Sequence, residues 1–286
     1  MAQPLLKARA PDNPRRLPAW ARRSHPLVRR HLGIQHTTPL EIRPILRLLL
    51  WQAALIGASL LLPLLGHGYL SVLVTSIVLL PIAVLFYGGM MASIILLPAA
   101  LALYGWLLFD IGMHAAGTIL NERQKDTLLL LRTTPFSLPE IFLSKIAASI
   151  WRQTGTLNLI LRAAAVLSLP FVFVEHIMLL PSAQYPFLAR LGIVIGLVVS
   201  LLRLLLEPLM AGALGILAGT LAAFHIPAAI GTAAVMSAYF LLINLIRLLP
   251  LSLPQRLLIE WALPLLGPLL VTWAALQVAA AILRRD

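Results

Sequence analysis

Few side chains in this sequence could do chemistry, and most of those stand alone. Asp110 and His114 lie one helical turn apart in an otherwise apolar run, and Arg162 follows ten residues after Arg152 in the next one. Ionisable groups inside a membrane segment are rare and usually paired. At 1.5 Å per residue, Asp110 and Arg162 both fall roughly 12–15 Å from the charged stretch between them. The spacing therefore predicts an Asp110–Arg162 ion pair, or a polar cluster shared with His114. Arg203 and Glu207, four residues apart, predict an ordinary helix-end pair. His67, His114, His176 and His225 are spread over different segments without an H-x-x-x-H spacing, so no metal or haem centre is expected. There is no Ser/His/Asp set or carboxylate pair, and no cysteine for thiol catalysis. A G-x-x-x-x-G-K-[ST] loop is also missing, so no ATP site is expected on this chain. The residues point to a protein that is not an enzyme and binds no cofactor itself.

The elements around these residues are built for lipid. Of 286 residues, 60% are hydrophobic and 11% charged, and the mean hydropathy is +0.94; a soluble domain has about 25% charged residues. Between Leu48 and Phe109 there is no Asp, Glu, Lys or Arg. The uncharged strings are apolar on every face, which excludes the alternating pattern of a membrane barrel. Apolar segments run over 48–66, 70–87, 90–118, 147–174, 187–206, 209–224, 227–249 and 258–283. The expected fold is all-α: a polytopic helical membrane protein with about six transmembrane helices. Segments 70–87 and 209–224 are short and interrupted by Pro or Gly. They are expected to be re-entrant, interfacial, or kinked extensions of a neighbour. The first span is expected to be an uncleaved anchor.

The net charge of +12 is a matter of location. Residues 1–47 hold ten cations and two acids. Cations gather at the cytoplasmic ends of membrane spans and attract anionic lipid headgroups, so membrane lipids are the expected partner and nucleic acid is not. Residues 1–47 read as a basic cytoplasmic arm, irregular over 1–36, that ends in an interfacial helix. Thr38-Pro39-Leu40-Glu41 has a helix-start pattern; Arg43 and Arg47 share a face, with Leu40, Ile45 and Leu48 free to meet lipid. Residues 48–283 form the membrane domain, with both termini cytoplasmic in the plasma membrane.

One charged island interrupts this plan: residues 121–145, NERQKDTLLLLRTTPFSLPEIFLSK. Five cations and three anions fall between Glu122 and Arg152. Four leucines follow the charged run, and Thr133-Thr134-Pro135 ends that piece, because a residue preceding Pro avoids the α region. Ser137-Leu138-Pro139-Glu140 then restarts a helix with a capping box. The pattern predicts helix, break, helix, with Lys145 and Arg152 at headgroup level.

The island resembles the permease subunits of type-two ABC exporters, which carry a pattern close to E-R-E-x-G-T-L-(D/E)-L-L-L-x-T-P-L-S-x-x-E-I-x-L-G-K between their second and third spans. The correspondence covers residues 121–145. Asp126 and Ser144 stand where that family usually has Gly, and Leu129 where it has an acid. The resemblance implies a coupling hairpin that docks on a separate ABC ATPase subunit. It assigns that contact to Glu122, Arg123, Thr127, Leu128 and Leu131, and the shape of the return to Thr134, Pro135 and Ser137. It implies ATP and Mg on the partner ATPase and a second permease copy, as homodimer or heterodimer. An alternative from another class stays open: a structural or assembly subunit of a larger membrane complex with a permease-like fold.

Overall fold

The computed structural model describes residues 17–32, 40, 43–47, 50–51, 54, 69–125, 127, 135–179 and 186–285. Every regular element among them is helical: a 3-10 turn at Ala19–Ala21 and seven α-helices, α1 Pro26–Leu32, α2 Tyr69–Gln124, α3 Leu138–Arg152, α4 Thr154–Leu179, α5 Pro186–Leu221, α6 His225–Arg247 and α7 Leu253–Arg285. Residues 43–47 are also helical. The protein is an all-α membrane protein. Four stretches among the described residues are long and apolar enough to cross a bilayer, Ile95–Gln124, Leu191–Leu221, His225–Arg247 and Leu253–Arg284. Six crossings were expected; segment 48–66 lies largely outside the described residues, as does most of the Thr38–Glu41 helix start.

The two expected interruptions are not breaks. Segment 70–87 runs on into 90–118 within the 56-residue α2, and 209–221 continues 187–206 within α5, through Pro208. The physical reason is that the bilayer supplies no water to satisfy freed backbone groups. One lost hydrogen bond at a proline costs less than ending and restarting a helix there. At 1.5 Å per residue α2 is about 84 Å long, against a hydrocarbon core of about 30 Å.

The bundle is organised by close backbone contact between α2 and α5. A Cβ on Gly215 would lie 2.0 Å from the Gly112 carbonyl oxygen, and one on Gly219 would lie 2.7 Å from that of Ala116. Gly112 and Ala116 on α2, and Ala211, Gly215 and Gly219 on α5, repeat at four-residue spacing. They form the small-x-x-x-small faces that let membrane helices approach. Contacts at increasing positions on both helices (Tyr104 with Glu207, Ala116 with Gly219) make them parallel. Helix α4 runs antiparallel to α2, with Gln153 beside Asp110 and Leu157, Ile160 and Leu161 packed on Leu107 and Ile111. Helix α6 is antiparallel to α5 and closes a hairpin with α7 through an Arg247 Nη2–Glu260 Oε2 ion pair of 2.7 Å.

The basic arm is more ordered than its composition suggests. Residues 17–32 fold onto α3: Val28, fully buried, packs with Trp20, Ala147, Ala148 and Trp151, and Leu27 packs on Ile141. Ile45, expected to face lipid, is 3% exposed in the cluster with Leu107 and Leu157.

The α2–α5 contact should be the least tolerant place in the bundle. Gly215→Ala is expected to lower stability by about 1–3 kcal/mol, the cost of overpacking. Gly105→Ala, on the same helix pair with open space around it, should leave stability unchanged or raise it. Thermal unfolding of the detergent-purified protein measures both; equal effects would contradict this packing.

Candidate functional site

The charged hairpin is rooted in a buried ion pair. Glu122, in the last turn of α2, is 5% exposed, and Lys145, mid-way along α3, is 1% exposed. The Lys145 ammonium donates to Glu122 Oε2 and, at 3.5 Å, to the Thr118 carbonyl. Lys145 is therefore enclosed by protein. The reason lies in α3, which is amphipathic and lays Ile141, Phe142, Ser144, Lys145, Ile146, Ala147, Ala148 and Ser149 inward. Burial pushes the Lys145 pKa below the usual lysine range, and the Glu122 carboxylate opposes that shift. Two charges removed from water together are tolerable; one left alone is costly.

His31 from α1 completes the root. Its Nε2 lies 3.5 Å from Glu122 Oε1. Burial, then the Lys145 and Arg30 cations, lower its pKa to about 4. His31 is thus neutral at pH 7, and the Glu122 charge is taken by Lys145. Further contacts bind the arm to α3: Trp151 Nε1 donates to the Ala21 carbonyl at 2.9 Å, Arg23 stacks on Trp151 at 4.2 Å, and the His25 ring meets Phe136 at 5.1 Å.

The start of α3 follows the sequence closely. Ser137 accepts from the Glu140 backbone N–H, Glu140 accepts from the Ser137 backbone N–H, and Pro139 occupies the first turn. This satisfies two N–H groups that a helix start otherwise leaves open.

The expected coupling residues divide into four groups. Glu122 is buried and faces inward, where Lys145 holds it. Arg123 is exposed and donates to the Thr220 carbonyl at 3.2 Å, tying α2 to the end of α5, and Thr127 Oγ1 donates to the Glu122 carbonyl at 3.4 Å. Pro135 and Ser137 are exposed at the return. Leu128, Leu131 and Thr134 lie outside the described residues.

Asp110 has His114 beside it, as the spacing predicts, and gains a partner that the spacing did not announce. Gln153, the single non-helical residue between α3 and α4, donates to Asp110 Oδ2, and His114 Nδ1 lies 3.3 Å from Oδ1. Arg162 is exposed. The α3–α4 break puts Gln153 level with Asp110, and Arg162 lies nine residues further along α4. Asp110 and His114 come together, which is the shared-cluster form of the expectation.

The Arg203–Glu207 pair is not at a helix end. It lies in the middle of α5, with Glu207 fully buried. Arg203 Nε and the Tyr104 hydroxyl each donate to Glu207, and Phe240 lies 6.0 Å from the Arg203 guanidinium. The buried Tyr239 hydroxyl has no hydrogen-bond partner among the described residues. Tyr104 and Tyr239 escaped the sequence reading because a lone tyrosine in an apolar segment carries no spacing signal. Among the described residues no group of His, Asp and Glu could hold a metal.

No family model matches the sequence, and neither a curated protein nor a solved structure matches it.

Two outcomes follow from the root cluster. Lys145→Met, which leaves Glu122 buried without its cation, should cost about 3–5 kcal/mol, whereas Glu122→Gln with Lys145→Met should recover most of it; chemical unfolding of the two variants is the comparison. His31 has a folded pKa of about 4 against 6.5 unfolded. The unfolded state binds more protons between those values, so this contribution is complete above pH 6.5 and is lost as pH falls toward 4. The full effect is roughly 3 kcal/mol. The gap in melting temperature between pH 7.5 and pH 4.5 should be smaller for His31→Asn than for the native protein; an equal or larger gap would contradict this.

Proposed function

We propose that this chain is the membrane-spanning permease subunit of an ATP-driven exporter of the ABC type. A separate ATPase chain hydrolyses ATP and docks on the hairpin at 121–145. A second permease copy completes the membrane part. The observation that carries the reading is the buried Glu122–Lys145 pair at the root of the hairpin. A segment that receives a push must be fixed to the helices it moves. Here the pair joins the end of α2 to α3, His31 adds the arm, and Gln153 joins α3 to α4 at Asp110. The capping box at Ser137 supports the same reading, since it defines where the return from the hairpin begins.

The charge distribution supports an orientation. Arg22, Arg23, Arg29, Arg30, Arg123, Lys125 and Arg152 lie on the arm or at the α2 and α3 ends that adjoin it. The opposite end has fewer cations among the described residues, including Arg247, paired with Glu260, and Arg256. Cations mark cytoplasmic ends, so we place the hairpin and both termini in the cytoplasm and the chain in the plasma membrane. ATP closure would then shift the bundle only to the extent that the ATPase binds its two states differently.

The test is purification of the tagged chain from its native host, alone and with Leu128→Asp/Leu131→Asp. The native chain should bring down an ATPase, and ATP turnover of the complex should require both chains. Removing two docking leucines at about 2 kcal/mol each should weaken association on the order of 100-fold or more, with thermal stability of the purified chain unchanged. A complex that is unaltered in composition and turnover by the two aspartates refutes the coupling role.

A further inference from the structure

Beside the hairpin root lies a cavity of about 460 Å³, within the size range of sites for small ligands. Its wall is cationic. Arg30 comes from α1, Lys125 from just beyond the end of α2, and Arg152 from the last turn of α3. All three side chains are exposed, and none has an ion-pair partner among the described residues. The one lining carboxylate among the described residues, Glu122, is paired with Lys145 through Oε2, and its Oε1 makes no hydrogen bond. Asn121 adds an amide, and His31 Nε2 is buried and makes no hydrogen bond. Three cations from three different elements thus line one space, with a buried nitrogen that makes no hydrogen bond at its edge. Like charges that share a cavity repel one another, and an anion among them relieves that repulsion.

We propose that this cavity binds a phosphate group, held by Arg30, Lys125 and Arg152 with Asn121 and His31 as hydrogen-bond partners. Phosphate suits the set better than a carboxylate. It carries up to two charges against three cations, and its several oxygens can receive two guanidinium forks and an ammonium at once. The group has two sources with the same chemistry: the headgroup of an anionic phospholipid, or a free phosphate. The site sits where the arm, α2 and α3 meet, so its occupant would tie together the three parts that surround the hairpin. The proposal is independent of the export reading.

The experiment uses the full chain in nanodiscs of phosphatidylcholine, with inorganic phosphate added at matched ionic strength, and in nanodiscs doped with phosphatidylglycerol. Thermal unfolding is read in each. The expected result is a rise in melting temperature of about 3 °C or more with one of the two sources. Stabilisation by inorganic phosphate in the neutral discs identifies a free phosphate. Stabilisation only in the doped discs, with one phosphatidylglycerol retained in native mass spectrometry, identifies the headgroup. In Arg30→Gln/Lys125→Gln/Arg152→Gln the shift should fall at least about fivefold. Its unliganded melting temperature should stay near the native one, since exposed side chains without partners contribute little to stability. If the triple variant folds poorly, Arg152→Gln alone carries the comparison, and Arg152→Lys should keep part of the shift. No shift from either source, or an equal shift in the native and substituted proteins, overturns the site.

Discussion

Backbone touching backbone, between Gly112 on α2 and Gly215 on α5, is the constraint on which the rest of this structure depends. Membrane helices gain nothing from hiding apolar surface from lipid tails, because the tails are equally apolar. What holds them together is close van der Waals fit and polar contact. The glycines supply the first by bringing two parallel helices together along several turns. That proximity creates the second: only when α2 and α5 lie this close can the Tyr104 hydroxyl reach Glu207, and Arg123 reach the Thr220 carbonyl. The dense stripe and the polar links are one device.

Three polar clusters then divide the length of the bundle. Tyr104, Arg203 and Glu207 lie deepest; Asp110, His114 and Gln153 come next; Glu122, Lys145 and His31 form the layer beneath the hairpin. Each cluster joins at least two parts of the chain that are distant in sequence. Buried polar groups of this kind fix which helix positions stand level, since a slip of one residue would leave charges without partners. Packing of small residues sets the distance between helices, and the polar clusters set their register. For a subunit expected to pass motion from a surface hairpin into the membrane, a defined register matters more than added stability.

The legible parts of the fold were those carried by local pattern. The all-α membrane class followed from uncharged runs, and the α3 start from Ser137 and Glu140, whose capping chemistry acts over three residues. Pro208 and the glycines near 88 look like punctuation, yet the helix continues through them, so both short segments are extensions of a neighbour, one of the three expected forms. The partners of the charged groups were the least legible. Asp110 is bound by Gln153, a residue with no formal charge, and Lys145 is buried where its place beside a charged loop implied exposure. Pairing is a property of how helices are arranged in space, and a single sequence does not state that arrangement.

The junction between α3 and α4 consists of Gln153 alone. An inserted or deleted residue there would turn α4 by about 100° about its own axis relative to α3. Leu157, Ile160 and Leu161 would rotate away from Leu107 and Ile111, and the amide that holds Asp110 would point elsewhere. Substitutions along α4 can be absorbed one contact at a time, but a change of length at this joint displaces the whole face together. A change of length at this point is therefore costlier than an exchange of side chain, and the number of residues between the two helices is itself a structural constraint.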